Sequence, residues 1–560
     1  MRRVIIIGGV AGGMSAATRL RRLDPDCFIV VLEKSSYVSY ANCGLPYRIG
    51  GVIAKTEDLL LQTAEALNLR FNLDVRVLNQ AIEIDRGEKK ITVIDLSAGR
   101  QYVIEYDQLI LSVGAQPVVP PIKGIDKAFT LRTVEDAVRI VQAVERGPRK
   151  AVVIGGGFIG IETAENLRNL GISTSVVEAL DQLLVPLDPE MASLVAKEML
   201  KHGVDLYLGQ SVAAIYSKGV ELSGGEFINA DLVISAIGVR PDTSLAVKAG
   251  LKLGPRGGVS TNIYNQTNDP DIYSIGDMAE KVDALDGSAS LVPLANIANR
   301  QGRVVADHIA GRKTRWVPTI GTAIVKVFDL TVATTGWNQK RLREAGHHYV
   351  PIHVHPNSHA GYYPGAKSIA IKVLIDPNSG LILGAQAIGT EGVDKRIDVI
   401  ATAIRSGLRA EDLADLELAY APPFGSAKDP INMIGYIAEN ITSGFTNTVQ
   451  WDELNMHVAN GATLLDVRTY GEYSKGHIPD SLNIPLDELR EGIRELPNSE
   501  VIVYCQVGIR GHTAASLLLG YGYNAVNLDG GYETWINSPA GMRSYPNYGT
   551  CALRPSSTVF

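Results

Sequence analysis

A strand, glycine turn, helix and strand that occur twice constrain the fold of this chain more than any other feature. Val4-Ile5-Ile6-Ile7 leads into Gly8-Gly9-Val10-Ala11-Gly12-Gly13, a helix runs from Gly13 to Leu23, and a second strand ends at Glu33. The second copy runs from Ala151-Val152-Val153-Ile154 through Gly155-Gly156-Gly157-Phe158-Ile159-Gly160 and a helix through Leu167 to Glu178. Each reads as a βαβ dinucleotide unit. Its glycines let the main chain approach a pyrophosphate at the helix N-terminus, and its carboxylate accepts ribose hydroxyls. The first copy has Val10 where the second fingerprint glycine is usual, whereas Gly155, Gly157 and Gly160 complete the pattern in the second. A carboxylate at Glu178 repels a 2′-phosphate, which favours NADH; a nearby basic residue would admit NADPH.

A chain of 560 residues exceeds what one hydrophobic core supports, so several domains are expected. The net charge of −7 gives no overall reason to bind nucleic acid or an anionic membrane. Met1-Arg2-Arg3 runs straight into a strand and no stretch is apolar enough to span a bilayer, so a cytoplasmic protein is expected. Cysteines stand at 27, 43, 505 and 551, without a Cys-x-x-Cys pair or metal-site spacing. Cys27 opens an apolar run and reads as a buried thiol, and Cys551, in a C-terminal tail, either resolves a persulfide or has no role, the second being favoured.

A third motif, Ile272-Tyr273-Ser274-Ile275-Gly276-Asp277, ends a strand on a carboxylate suited to a flavin ribitol or phosphate. With Leu109-Ile110-Leu111-Ser112-Val113-Gly114-Ala115 and the two turns, it resembles the flavoprotein disulfide reductases over about the first 440 residues. The resemblance implies FAD on the first unit (Gly8, Gly12, Gly13, Glu33, Gly114, Asp277), NAD(P)H on the second (Gly155, Gly157, Gly160, Glu178), and a C-terminal dimerisation domain that makes a homodimer. Cys43, in Ser39-Tyr40-Ala41-Asn42-Cys43-Gly44, is a single cysteine where glutathione-reductase relatives have two. That points to the branch of NADH peroxidases, NADH oxidases and coenzyme A disulfide reductases. Ala11 stands where the peroxidases carry a histidine, which counts against a peroxidase.

The helix after the first turn carries Ser15, Arg19 and Arg22 on one face, a stripe suited to phosphate oxygens. Ser15, Arg19, Arg22, Ser39, Asn42 and Lys428 match coenzyme A contacts in the resembling family. A family lysine falls at Phe71, beside Arg70, and a family histidine at Asn299. The resemblance also implies that Tyr362, with Tyr363 as a substitute, and Tyr420 cross the dimer interface to the active cysteine.

Beyond a polar stretch at 442–448, alternating strands and helices begin again, and Thr463-Leu464-Leu465-Asp466-Val467-Arg468, Glu472-Tyr473-Ser474-Lys475-Gly476-His477-Ile478-Pro479 and Val501-Ile502-Val503-Tyr504-Cys505 resemble the rhodanese family. Cys505 opens a loop that ends at Arg510, with a helix read over Thr513 to Leu519. Loop amides and the helix N-terminus would lower the Cys505 pKa and stabilise a persulfide, while Arg510 adds charge or braces the loop. Phosphatase-like domains related to that family use a loop one residue longer to admit phosphate, so the resemblance implies sulfur rather than phosphate at this Cys-x4-Arg loop. Asp466, Arg468 and His477 are read as structural.

The expected fold is α/β: an FAD domain over 1–115 and 245–320 with a connecting segment 116–149, an NAD(P)H domain over 150–244, an α+β dimerisation domain over 321–441, a linker over 442–448, a rhodanese domain over 449–545 and a tail over 546–560. The expected activity is NADH-dependent reduction of coenzyme A persulfide, other persulfides or polysulfide at Cys43. A sulfane sulfur donor would supply Cys505, and coenzyme A disulfide would be a secondary substrate. The alternatives are an NADH oxidase and a redox-responsive sulfur carrier.

Overall fold

The computed structural model describes residues 2–315 and 317–544. Cys551 and the tail at 546–560 therefore lie outside the described residues. The chain forms two compact units: one holds the residues through Thr174 together with Val212–Gly321, the other Ser175–Ser211 together with the chain from Thr322 onward.

In the first unit a parallel sheet has the order Ile272–Ser274, Gln108–Leu111, Arg3–Ile7, Phe28–Leu32, Asp74–Arg76. Its strands are apolar on both faces because both are covered. Val4, Ile6, Ile29, Val31 and Ile110 pack against Met14, Ala17 and Leu20 of the helix Ala11–Leu23 and against Val305 and Ala306 of the helix Ala295–Ile309. Ile5, Ile7, Val30, Leu32, Leu109 and Leu111 face the other way, onto Ile84, Ile91 and Val93 of an antiparallel three-stranded sheet. The first glycine turn thus sits at the C-terminal end of the central strand, where parallel sheets place their ligands. Lys150–Ile154, which leads into the second glycine turn and the helix Phe158–Asn169, pairs in parallel with Leu232–Ser235.

The second unit contains Ser173–Glu178 from Ser175 onward, paired in parallel with Asp205–Leu208, and the helix Pro189–Lys201 between them. An antiparallel sheet follows, ordered Ala323–Val327, Leu330–Gly336, Ile382–Gly389, Ile369–Ile375, Val350–Val354. The helices Val393–Ser406 and Pro430–Thr442 cover it with Ile397, Ile400, Ile431 and Ile434. A parallel sheet closes the chain: Thr448–Val449, Ala525–Leu528, Val501–Tyr504, Thr463–Asp466, Leu482–Asn483. Leu465, Val501 and Val503 pack on Ala514, Ala515 and Leu518 of the helix Ile509–Gly520, and Leu464, Ile502 and Tyr504 pack on Trp535 and Ile536.

The segment between these two sheets is anchored rather than loose. Thr446 donates its N–H to Asn440 O at 3.0 Å, its hydroxyl meets His512 Nδ1 at 3.1 Å, and Asn447 O accepts the N–H of Asn527. Among the described residues no helix is long and apolar enough to cross a membrane.

Candidate active sites

The two glycine turns share one steric logic. Gly8 lies at φ +103°, and a Cβ on it would stand 2.2 Å from Ser112 O; Gly155 lies at φ +109°, and its Cβ would stand 2.5 Å from Ala236 O. A Cβ on Gly13 would fall 1.9 Å from Gly8 O, and one on Gly160 would fall 1.9 Å from Gly155 O. These glycines bring the start of each helix against its own turn. Gly157 has nothing within 4 Å of the site of a Cβ. The protein therefore does not itself demand glycine at the middle fingerprint position, and Val10 at the equivalent place in the first turn disturbs no packing requirement of this kind. The buried Glu33 accepts N–H bonds from Gly9 at 2.8 Å and Ser35 at 2.9 Å, and burial raises its pKa against those two bonds. Glu178, at the end of its strand, accepts the Leu180 N–H at 2.9 Å.

Cys43 is held next to the first turn. Ser39 donates its N–H to Gly9 O at 2.8 Å, and its own carbonyl accepts the Leu61 N–H at 2.8 Å. Ser39 adopts φ +49°, the left-handed region that non-glycine residues visit seldom, so the loop is strained where it turns towards the cysteine. A 3-10 turn over Asn42–Gly44 then presents Cys43 ahead of the helix Leu45–Ile49.

Although Cys43 exposes part of its surface, desolvation raises its thiol pKa, Glu162 and Asp277 raise it further, and Arg132 opposes them only in part. The helix that follows has only five residues, so its N-terminus offsets little of this. Glu162 accepts the Tyr47 hydroxyl at 3.1 Å, and burial pushes its carboxyl up to about 7. Arg132 donates to Asp277 Oδ2 at 2.7 Å and to Ala115 O at 3.2 Å, and a Cβ on Gly114 would lie 3.1 Å from its Nη2. The Gly114 and Asp277 motifs thus meet at one guanidinium.

Along the cationic helix face, Ser15 donates to Asn299 Oδ1 at 2.9 Å, and Arg19 donates to Asp307 Oδ1 at 2.7 and 2.9 Å. Arg19 is therefore matched by a carboxylate, while Arg22 is exposed. In the second unit the exposed hydroxyls of Tyr362 and Tyr420 lie 3.0 Å apart, and Lys428 is exposed beside Asp429, which caps the helix Pro430–Thr442.

Cys505 follows the strand Val501–Tyr504 and is buried at 1 % exposure. The Gly508 N–H donates to its Sγ at 3.2 Å. Gly508 takes φ +96°, which turns the chain into a helix that begins at Ile509, four residues earlier than expected. Arg510 therefore sits in the first helical turn, where Glu472 receives it through two bonds of 2.9 and 2.6 Å. Arg468, buried with Asp466, donates to Asp466, Gly476 O and Gln506 Oε1 and stacks on Tyr532, its guanidinium carbon 4.2 Å from the ring centroid. His477 stacks on Tyr473 at 3.8 Å.

Residues 2–302 match the pyridine nucleotide-disulphide oxidoreductase family, 322–429 its dimerisation domain and 450–538 the rhodanese-like domain. The chain belongs to the pyridine nucleotide-disulphide oxidoreductases. This oxidoreductase is similar to reduced CoADR-RHD of Bacillus anthracis, at 49 % identity and a TM-score of 0.94 over 96 % of this chain and 98 % of that one. It is also similar to a NAD-dependent persulfide reductase from A. fulgidus, at 36 % identity and a TM-score of 0.90 over 95 % and 100 % of the two chains. Among curated proteins it is 36 % identical over 446 residues to an NADH oxidase of Methanocaldococcus jannaschii, which covers 77 % of this chain and 97 % of that one. It is 34 % identical over 441 residues to a coenzyme A disulfide reductase of Staphylococcus aureus, over 78 % and 100 %.

Sequence reasoning about this oxidoreductase missed Arg132 and Glu162, and gave Glu472, within the rhodanese-like stretch, no role as the partner of Arg510. Arg132 and Asp277 are 145 positions apart and no local pattern joins them. Tyr47, one helical turn after Cys43, was the available signal for Glu162.

Proposed function

We propose that the protein is an NADH-dependent flavoenzyme that reduces coenzyme A persulfide, related persulfides or polysulfide at Cys43, yielding thiol and hydrogen sulfide, with sulfane sulfur delivered through Cys505. Coenzyme A disulfide is a slower substrate. The observation that carries this reading is the pairing in one chain of a cysteine strapped to a dinucleotide turn, through Ser39 and Gly9, with a cysteine whose sulfur accepts a main-chain N–H from its own loop.

Gly8, Gly12, Gly13, Glu33, Gly114 and Asp277 would hold FAD, and Gly155, Gly157, Gly160 and Glu178 would hold NADH. The cradles left by these glycines and the carboxylates at the strand ends fit such groups. When bound, the flavin supplies an electron pair that originates in NADH. Ser15, Arg22, Ser39, Asn42 and Lys428 bind coenzyme A, with Arg19 sharing its charge with Asp307. Cys43, as thiolate, attacks the terminal sulfur of the coenzyme A persulfide; a Cys43 Sγ–S bond forms and the coenzyme A S–S bond breaks. In a homodimer the Tyr362 and Tyr420 pair of one protomer gives the departing thiolate its proton at the Cys43 of the other. Two electrons then cleave the Cys43 persulfide to thiolate and hydrosulfide, which takes a proton. Glu162, with its carboxyl near 7, holds a proton close by at neutral pH. The balance is coenzyme A persulfide, NADH and a proton giving coenzyme A, hydrogen sulfide and NAD+.

The test is anaerobic NADH oxidation with coenzyme A persulfide and coenzyme A disulfide at equal concentration, by wild type and Cys43→Ser. Faster persulfide turnover that vanishes in the variant supports the proposal. The likeness to an NADH oxidase favours a second reading, and turnover that starts only when oxygen is admitted would establish it instead.

A further inference from the structure

His353 lies on the edge strand Val350–Val354 of the antiparallel sheet and is buried with both ring nitrogens against carboxylates. Nδ1 is 2.6 Å from Asp529 Oδ2, Nε2 is 3.1 Å from Glu190 Oε1, and the His353 main-chain N–H also reaches Asp529 at 3.1 Å. A neutral imidazole has a single N–H and would turn a lone pair towards one of these carboxylates, so the site selects the imidazolium.

The charges around it agree. Lys372 Nζ pairs with Glu190 and, at 2.9 Å, with Asp188, whose other contacts are Gln386 at 2.7 Å and the Gln339 N–H at 2.9 Å. Asp188, Glu190 and Asp529 are three buried carboxylates against Lys372 and His353, so even a charged His353 leaves the cluster one negative charge in excess. Two further titratable groups lie near: His355 is pushed down to about 3 by burial and then by the charge on His353, its Nε2 meeting Thr534 Oγ1 at 2.7 Å, and Tyr349, which feels Lys372 and Asp188, has its pKa raised first by burial and so stays neutral. Burial and Lys372 oppose protonation of His353, yet Asp529 and Glu190 outweigh them and raise its pKa.

The same aspartate starts the turn that supports the Cys505 loop. Gly530 and Gly531 both take left-handed φ, +65° and +62°. A Cβ on Gly530 would lie 2.7 Å from His353 Cβ, and one on Gly531 would lie 2.5 Å from Cys505 O and 2.9 Å from Gly508 N. Tyr532 N–H donates to Cys505 O at 2.8 Å, and Glu533 N–H donates to Gln506 O at 2.9 Å. The turn is wedged between His353 and the loop whose Gly508 N–H faces the cysteine sulfur. A second thread runs from Lys197, on the same helix as Glu190, through Asn537 Oδ1 at 2.5 Å to Glu533 at 3.1 Å and Gln506 at 3.0 Å.

We propose that His353 is a positioning residue for sulfur transfer: as an imidazolium clamped between Glu190 and Asp529, it holds the 529–533 turn against the carbonyls of the Cys505 loop and so aims the Gly508 N–H at the sulfur. This rests on the reading of Cys505 as the sulfur-accepting thiol. The clamp is complete below the ordinary histidine pKa of about 6.5 and is lost as pH rises through the raised value.

The test uses the full-length holoenzyme, with thiosulfate as sulfur donor and cyanide as acceptor, between about pH 6 and 10. Wild type loses kcat on a basic limb. His353→Gln has a kcat lower by about tenfold at neutral pH, lacks that limb and keeps its thiosulfate KM within about twofold. Glu190→Gln keeps the Asp529 contact but removes one carboxylate, so its limb moves to lower pH; this keeps the proposal falsifiable if His353→Gln does not fold. A wild-type kcat and pH profile in His353→Gln, or an unmoved limb in Glu190→Gln, overturns the proposal while leaving Cys505 as sulfur acceptor. Absence of any Cys505-dependent transfer in wild type removes both readings.

Discussion

Alanine at two neighbouring fingerprint glycines is expected to act very differently on stability. At Gly160 the new methyl carbon would stand 1.9 Å from Gly155 O and 3.0 Å from Gly155 C, both main-chain atoms. Ordinary van der Waals contact begins near ~3.5 Å, so the helix start must move by more than about 1 Å relative to the turn. Overpacking of this kind costs about 1–3 kcal/mol. At Gly157 the backbone is extended, φ −80° and ψ −175°, and nothing lies within 4 Å of the methyl. Alanine fits there and restricts the unfolded chain, a gain of about 0.4–1 kcal/mol, but Gly157 is the helix N-cap, where alanine is worse than glycine by a similar amount, so the net change is small. The same methyl projects into the space through which a pyrophosphate approaches. Melting without nucleotide and NADH titration separate the two effects. Gly157→Ala melts close to wild type and binds NADH at least about tenfold more weakly, a loss of about 1.4 kcal/mol. Gly160→Ala melts lower and also loses NADH. A Gly160→Ala protein that melts with wild type, or a Gly157→Ala protein with undiminished NADH affinity, refutes the steric reasoning.

Glu162→Gln removes a charge that raises the Cys43 pKa, so alkylation of Cys43 by iodoacetamide in a Cys505→Ser background is expected to be about three- to tenfold faster at pH 7. In the parent, Glu162 ionises as pH passes about 7 and raises the thiol pKa further, which flattens the rate profile above that pH; parallel profiles would refute this. Glu472 has its pKa lowered to about 2, first by Arg510 and against burial. Its pairing is intact above the ordinary carboxyl pKa of about 4.3 and is lost as pH falls towards 2, so Glu472→Gln is expected to lower Cys505-dependent sulfur transfer by about tenfold at neutral pH and to remove part of the acid sensitivity. Tyr420→Phe and Tyr362→Phe each lower persulfide turnover by about tenfold, and the double variant falls short of the product because the two hydroxyls share one hydrogen bond.

What the sequence made legible was local. Gly8 with Gly13, and Gly155 with Gly160, are set by spacing within one turn, and the structure explains each by an overlap with main-chain oxygen. The apolar strand was equally legible as a strand, and the structure shows why it is apolar throughout: Ile5 and Ile6 enter cores on opposite faces. Helix starts were read late, because the positive φ of Gly508 begins a helix before any apolar period shows. Partner choice was hidden: His353 and Asp529 are 176 positions apart, and neither sits in a motif. The groups that raise the Cys43 pKa were hidden for the same reason, since Glu162 and Asp277 reach it from distant segments.

Cys43 and Cys505 consequently differ in how their sulfur is supported. Cys505 has a main-chain donor fixed at 3.2 Å by its own loop, whereas Cys43 faces carboxylates and a helix too short to compensate. The polypeptide alone keeps Cys43 protonated, so its reactivity should depend on what occupies the adjoining first glycine turn. Flavin removal tests this in the Cys505→Ser background. At pH 7 the flavin-free protein is expected to alkylate at Cys43 at least about tenfold more slowly than the flavin-loaded oxidised form, about one pKa unit of thiolate stabilisation. Glu162→Gln should recover part of that loss without flavin, because it relieves the same unfavourable charge. Equal rates with and without flavin would mean that the carboxylates, and not the bound group, govern the thiol, and would remove the cofactor from the account of Cys43 activation.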